Sequence, residues 1–191
     1  MKNNLRKLSL ALAVSCTFSG SAVALTKAEY STQKDSISAE YKANKEKCSS
    51  LKGNANDICI SEAKGTDKVA RAALEAQYKP NAKNNEKVSL AKADAAYDTA
   101  KEKCDDLSGN PKDVCVKDAK AAYVKAKADA KVSRVSADTS QSKAEKVSDA
   151  KKDANNEKRE ADYKAAKERC DSLAGAAKDS CVGDAKVKYG M

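Results

Sequence analysis

The sequence predicts an all-α fold: three disulfide-stapled antiparallel helical hairpins in an extended array or a loose bundle. Three observations predict it. One stretch occurs three times, at Tyr41 to Lys64, Tyr97 to Lys120 and Tyr163 to Lys186, with Tyr, Cys, Leu, Gly, Asp, Cys and Ala-Lys in register. In each copy two cysteines lie symmetrically about a glycine turn. Around them, Ala, Lys, Glu and Asp follow helical spacing, with no alternation that would suggest strands.

The middle copy carries the fullest turn chemistry. Gly109 suits a left-handed residue at a helix end. Asn110 reads as an N-cap, Pro111 as the first helical position and Asp113 as N3. One helix therefore ends and the next begins almost at once. Cys104 and Cys115 are each about 8 Å from the tip at 1.5 Å rise per residue. Antiparallel helices bring such positions opposite each other. Leu107, Cys104, Ala100, Tyr97, Ala93 and Leu90 share one face, and Cys115, Ala119, Ala122 and Ala126 share the returning one. Turn symmetry sets Tyr97 against Ala122 and Ala93 against Ala126.

The first copy repeats this logic with Cys48 and Cys59 about Gly53-Asn54, Asp57 at N3, and Ile37 and Tyr41 on the Cys48 face. In the third, Cys170 and Cys181 flank Gly175, but Ala176 replaces the capping Asn, which reads as a weaker turn. The expected bridges are Cys48 to Cys59, Cys104 to Cys115 and Cys170 to Cys181. Each is worth about 3 kcal/mol by loop closure. Free thiols and a metal site are the alternatives. The chain has no His, no C-x-x-C, and only two thiolates per hairpin, too few for structural zinc. No cofactor is expected.

Composition limits the interior. Of 191 residues, 34% are charged and 4% aromatic, with no Trp. Much of the 41% hydrophobic share is Ala. A large close-packed core is not expected; thin hairpins held by covalent staples are.

Taken in order, the chain divides into 1–24, 25–80, 81–135 and 136–191. Residues 1–24 read as a signal peptide: Lys2, Arg6 and Lys7, then an apolar run from Leu8 to Phe18, then Ala22-Val23-Ala24. Cys16 is a candidate lipidation cysteine, though Ala13-Val14-Ser15 before it fits a lipobox poorly. Cleavage removes one of seven cysteines and leaves three pairs, which agrees with an oxidising, periplasmic location. It also removes three cations and no acids, taking net charge from +9 to +6. No later apolar run is long enough to span a membrane.

Residues 25–80 form hairpin repeat 1, with helices over 25–53 and 54–79. The second ends at Lys79-Pro80-Asn81, because the residue preceding Pro avoids the helical region. Residues 81–135 form hairpin repeat 2, with helices over 83–108 and from Pro111. Residues 136–191 hold a Ser-rich connection and hairpin repeat 3, whose last helix runs from Ala176 to about Tyr189. Ser136 and Asp138 favour a break in the connection. The alternative is one helix from Pro111 to Leu173, about 95 Å long. If every linker turns, the three tips share one end; if the linkers run straight, the chain is a rod.

Charges of both signs are interleaved, as in Lys101-Glu102-Lys103 and Lys167-Glu168-Arg169, which reads as solvated helix surface with i,i+4 pairs. No long basic block and no aromatic interleaving point to nucleic acid. The positive excess suits anionic envelope surfaces or envelope proteins as partners. Thin seams also suit self-association as coiled coils.

The run Lys-Glu-Lys-Cys-Asp-Asp-Leu-Ser-Gly-Asn-Pro-Lys-Asp-Val-Cys-Val-Lys-Asp-Ala-Lys at 101–120 resembles small exported proteobacterial proteins labelled TolA-like, or cell-envelope biogenesis proteins. The resemblance implies Ala/Lys-rich helix and an envelope role, and it implies no catalytic residue. Neither the retained anchor nor the C-terminal globular domain of TolA is expected here. No nucleophile, phosphate or metal motif argues for an enzyme. The expected function is a non-enzymatic structural or stress-related role in the cell envelope. A periplasmic chaperone or protectant and a redox-responsive disulfide module are the alternatives.

Overall fold

The computed structural model describes residues 25–137 and 142–191. The expected signal peptide, including Cys16, lies outside the described residues, as do Asp138, Thr139 and Ser140. Six helices follow one another: α1 Lys27–Cys48, α2 Asn54–Tyr78, α3 Ala82–Cys104, α4 Gly109–Ser136, α5 Lys143–Cys170 and α6 Gly175–Tyr189.

Their ends follow from local chemistry. Thr26 caps α1: its hydroxyl accepts from the Glu29 N–H at 3.2 Å, and the Glu29 carboxylate accepts from the Thr26 N–H at 2.8 Å. That backbone hydrogen bond holds the Glu29 carboxyl below its usual range. Pro80 stops α2, and Asn81 opens α3 by accepting from the Asn84 N–H at 2.8 Å. Gly190, at φ 65°, closes α6 in the left-handed conformation.

The stapled turns differ from the sequence reading. α1, α3 and α5 end at their cysteines rather than at Gly53, Ser108 and Leu173. The reason is a tightened last turn. The N–H groups of Leu51, Leu107 and Leu173 donate to the carbonyls of Cys48, Cys104 and Cys170 at 2.9, 3.0 and 3.0 Å. Gly53, Gly109 and Gly175 then reverse the chain at φ 56°, 58° and 55°, where a Cβ would be strained. Asn110 is not the cap of α4: that helix starts at Gly109 behind Ser108, and no side chain caps it. Asp113 accordingly falls beyond the first turn of α4.

Every connection turns back. Tyr30 packs against Tyr78 across α1 and α2, with ring centroids 4.5 Å apart and the planes tilted by 34°. Glu62 pairs with Lys103 and Lys68 with Asp94 across α2 and α3. Glu86 pairs with Arg134 across α3 and α4. Lys117, Lys125 and Lys131 meet Glu168, Asp162 and Asp153 across α4 and α5. Rising numbers against falling ones mean antiparallel neighbours throughout. The single helix from Pro111 to Leu173 is therefore not formed, and many ion pairs run between helices rather than along one.

Among the described residues each helix packs only against its neighbours in sequence. The hairpins thus lie side by side in one layer, with the three stapled tips at one end. A single layer can bury only a strip of each helix, and that strip is mostly alanine: Ala63, Ala91, Ala93, Ala121, Ala128, Ala130, Ala150, Ala154, Ala161, Ala165 and Ala185. Leu74 is the one large aliphatic side chain buried among the described residues. The largest fully buried side chains are Cys48, Cys104 and Cys170.

The aromatic seam corrects one pairing. The ring partner of Tyr97 is Tyr123, stacked on it at 4.9 Å, while the expected partner Ala122 is exposed. Tyr123 is drawn to the seam because its hydroxyl donates to Asp94 at 2.8 Å.

Candidate functional site

The stapled end is where the repeated residues converge. Disulfides join Cys48 to Cys59, Cys104 to Cys115 and Cys170 to Cys181, with Cα separations of 5.6, 5.7 and 5.7 Å. In each pair the half on the incoming helix is sealed from solvent and its partner is half-buried. Lys112 and Lys178 reach back across the second and third turns to Asp105 and Asp171 at 2.9 and 2.8 Å. The hydrogen bond from Lys178 holds the Asp171 carboxyl below its usual range.

Adjacent tips are clamped to each other by residues that the repeat places in register. Asn54 Nδ2 donates to the Glu102 carbonyl of the next hairpin at 2.7 Å. Asn110 Nδ2 makes the equivalent bond to the Glu168 carbonyl at 3.0 Å. These carbonyls belong to the last turns of α3 and α5, where helical acceptors run out of partners. Each Asn therefore caps its neighbour's helix rather than its own. An ion pair accompanies each clamp: Lys103 with Glu62 at 3.1 Å, and Arg169 with Asp118.

One turn further in, the helices touch through small residues. A Cβ on Gly65 would sit 2.7 Å from the Ala95 Cβ, so α2 and α3 approach as closely as glycine permits. The corresponding pair across α4 and α5, Ala121 and Ala161, is buried with Ala165, and Val124 packs against them. Ser61 and Thr99 exchange a hydroxyl hydrogen bond at 3.3 Å beside Gly65.

Beyond the tips, Asp94 takes both Lys68, at 2.6 Å, and the Tyr123 hydroxyl. Burial raises its carboxyl, but these bonds and the nearby lysines outweigh burial and leave it below the usual range. The same bond to Asp94 raises the Tyr123 phenol.

All six cysteines of the repeats are in disulfides, and no group of three His, Cys, Asp or Glu among the described residues is placed to hold a metal ion. The groove between α2 and α3 encloses about 280 Å³ and is lined by Ser61, Lys64, Lys68, Asp98 and Lys101. No helix among the described residues is long and apolar enough to cross a membrane.

Sequence reasoning found the cysteines, the turn glycines and the seam tyrosines. It missed the clamping role of Asn54 and Asn110 and the small-residue seam at Gly65 and Ala95. Extending the alignment of the three copies past Lys64 sets Gly65, Ala121 and Val187 in one column, the signal for the seam; Asn54 and Asn110 were already in register, and no spacing rule told a clamp from a cap. No family model, curated protein or solved structure matches the chain.

Proposed function

We propose that the chain is exported to the periplasm and serves there as a non-enzymatic structural element of the cell envelope, with a role under envelope stress. The single observation that carries this reading is where burial is spent. The largest sealed side chains are cystine sulfurs, and the rest of the interior is largely alanine. Such an interior buries little apolar area, so the fold relies on three covalent staples. Those persist in an oxidising compartment and not in the cytosol. Exposed charges of both signs fit a surface that stays hydrated at an anionic envelope without committing to one ligand.

The test is genetic and chemical together. Fractionation of the native host is expected to place the oxidised chain, cleaved near Ala24, in the periplasm. Deletion is expected to sensitise cells to detergent and chelator. Wild type restores resistance, and a variant with all six repeat cysteines changed to Ser does not. A cytosolic chain with free thiols, or full rescue by the cysteine-free variant, would defeat the proposal.

A second reading, a periplasmic holdase, is favoured by one observation. Leu51, Leu107 and Leu173 stand at the same tip position in all three hairpins and are 41%, 44% and 43% exposed. Apolar groups repeated at one end of the array suit weak contact with unfolded chains. The holdase reading expects the oxidised protein to suppress aggregation of a denatured client at equimolar ratio. It also expects Leu→Ser at all three positions to remove that effect.

A further inference from the structure

The clamp between hairpins has two halves, and the ends of the array do not carry them equally. The donor half is Asn54, Glu62 and Gly65 on α2, and Asn110, Asp118 and Ala121 on α4. The acceptor half is the Glu102 carbonyl, Lys103 and Ala95 on α3, and the Glu168 carbonyl, Arg169 and Ala161 on α5. At the C-terminal edge the repeat puts Ala176 where the Asn belongs and Val187 where Gly65 and Ala121 stand. Val187 is 85% exposed. Alanine has no donor to offer, and a β-branched side chain holds a neighbouring helix away from a seam this close. Only Asp184 of the donor half remains there.

At the N-terminal edge the acceptor half is intact. Glu46, Lys47 and Ala39 on α1 stand in the register of Glu102, Lys103 and Ala95. Ala43 follows at the Thr99 and Ala165 position. Ala161 and Ala165 are buried under the neighbouring hairpin, whereas Ala39 and Ala43 are exposed. The Ser49 hydroxyl donates to the Glu46 carbonyl at 2.7 Å, where the carboxylates of the equivalent Asp105 and Asp171 have no donor to give. A rotatable exposed hydroxyl stands in for the missing Asn.

We propose that the outer face of α1 is an open acceptor edge that binds a disulfide-stapled helical hairpin of a second polypeptide. That hairpin would carry Asn after its turn glycine, an acid eight residues on, and Gly or Ala three residues beyond the acid. The occupant is argued from the chain itself, because a hairpin of this chemistry covers the same face of α3 and of α5. A second copy of this chain is not that occupant. Its α2 and α4 donor faces are already covered, and α6 has lost its own.

The test rebuilds the donor edge on this protein. Ala176→Asn with Val187→Gly restores it, and Ala39→Glu blocks the same molecule's acceptor edge. These positions are exposed, and circular dichroism with thiol titration checks that the oxidised fold is kept. Mixed with wild type in analytical ultracentrifugation, this probe is expected to form a one-to-one complex. Neither the probe alone nor wild type alone makes that contact. Lys47→Glu in the wild-type partner is expected to weaken the complex about tenfold, and Ala39→Glu in that partner to abolish it. No complex, or one indifferent to Ala39→Glu, would overturn the proposal.

Discussion

Gly65 is the place where packing and helix propensity oppose each other most cleanly. In a helix interior, Gly→Ala normally gains about 1 kcal/mol. At Gly65 the added methyl would meet the Ala95 Cβ at 2.7 Å and its Cα at 3.4 Å. Neither is the end of a flexible side chain, so the helices must part. Overpacking of this kind costs about 1–3 kcal/mol. Gly183, on the open face of α6, supplies the matched control: a Cβ there meets nothing within 4 Å. Subtracting one substitution from the other cancels propensity and leaves the packing term. Gly183→Ala is expected to stabilise by up to about 1 kcal/mol, and Gly65→Ala to fall about 1–3 kcal/mol below it. The α4–α5 seam already accommodates Ala121 against Ala161, which places the expected cost toward the lower end. Denaturant unfolding of both oxidised variants measures the difference. Equal stabilisation by the two substitutions would refute the close approach of α2 to α3.

The remaining predictions concern staples, clamps and charge. Replacing Cys170 and Cys181 by Ser is expected to cost about 3 kcal/mol. Because α6 packs only against α5 among the described residues, limited proteolysis should then cut beyond Asp171 first, leaving residues 27–136 intact on mass spectrometry. Asn54→Ala and Asn110→Ala each remove one inter-hairpin bond and are expected to cost about 1 kcal/mol, whereas Ala176→Ser changes the denaturation midpoint by nothing measurable. Asp94 sits below its ordinary value of 3.8 in the folded chain, so its contribution is present above that value and is lost as pH falls through the lower folded one. Acid titrations of stability are expected to show a shallower loss in Asp94→Asn than in wild type, and an unchanged acid limb would count against the Lys68–Asp94–Tyr123 network.

Much of the architecture was legible because its causes are local and periodic. Repeated cysteines symmetric about a glycine, and apolar residues at steps of three and four, suffice for stapled hairpins. The ends of α1, α3 and α5 were not legible. Leu51, Leu107 and Leu173 continue the apolar period, so they read as helix. In the structure the N–H of each closes on a cysteine carbonyl three residues back and ends the helix there. Asn110 misled for a related reason. Next to Pro111 it has the local signature of a cap, but a neighbouring helix offered a carbonyl near its end, and that acceptor won. Tyr97 went to Tyr123 rather than Ala122 because Asp94 holds the second tyrosine in the seam, a contact between helices that no spacing rule encodes.

The same physics explains why the third hairpin differs from the others. An Asn is useful at a tip only if another hairpin follows to accept it, and a Gly is useful on a seam only if another helix approaches. Among the described residues α6 packs against α5 alone. There Asn54 and Asn110 become Ala176, and Gly65 and Ala121 become Val187. Alanine favours helix over asparagine, and valine favours it over glycine. Loss of the clamp residues therefore matches a face of α6 that no described helix covers. It leaves α6 with one neighbour, 15 residues and the Cys170–Cys181 bridge. The covalent staple matters most where packing has the least to offer.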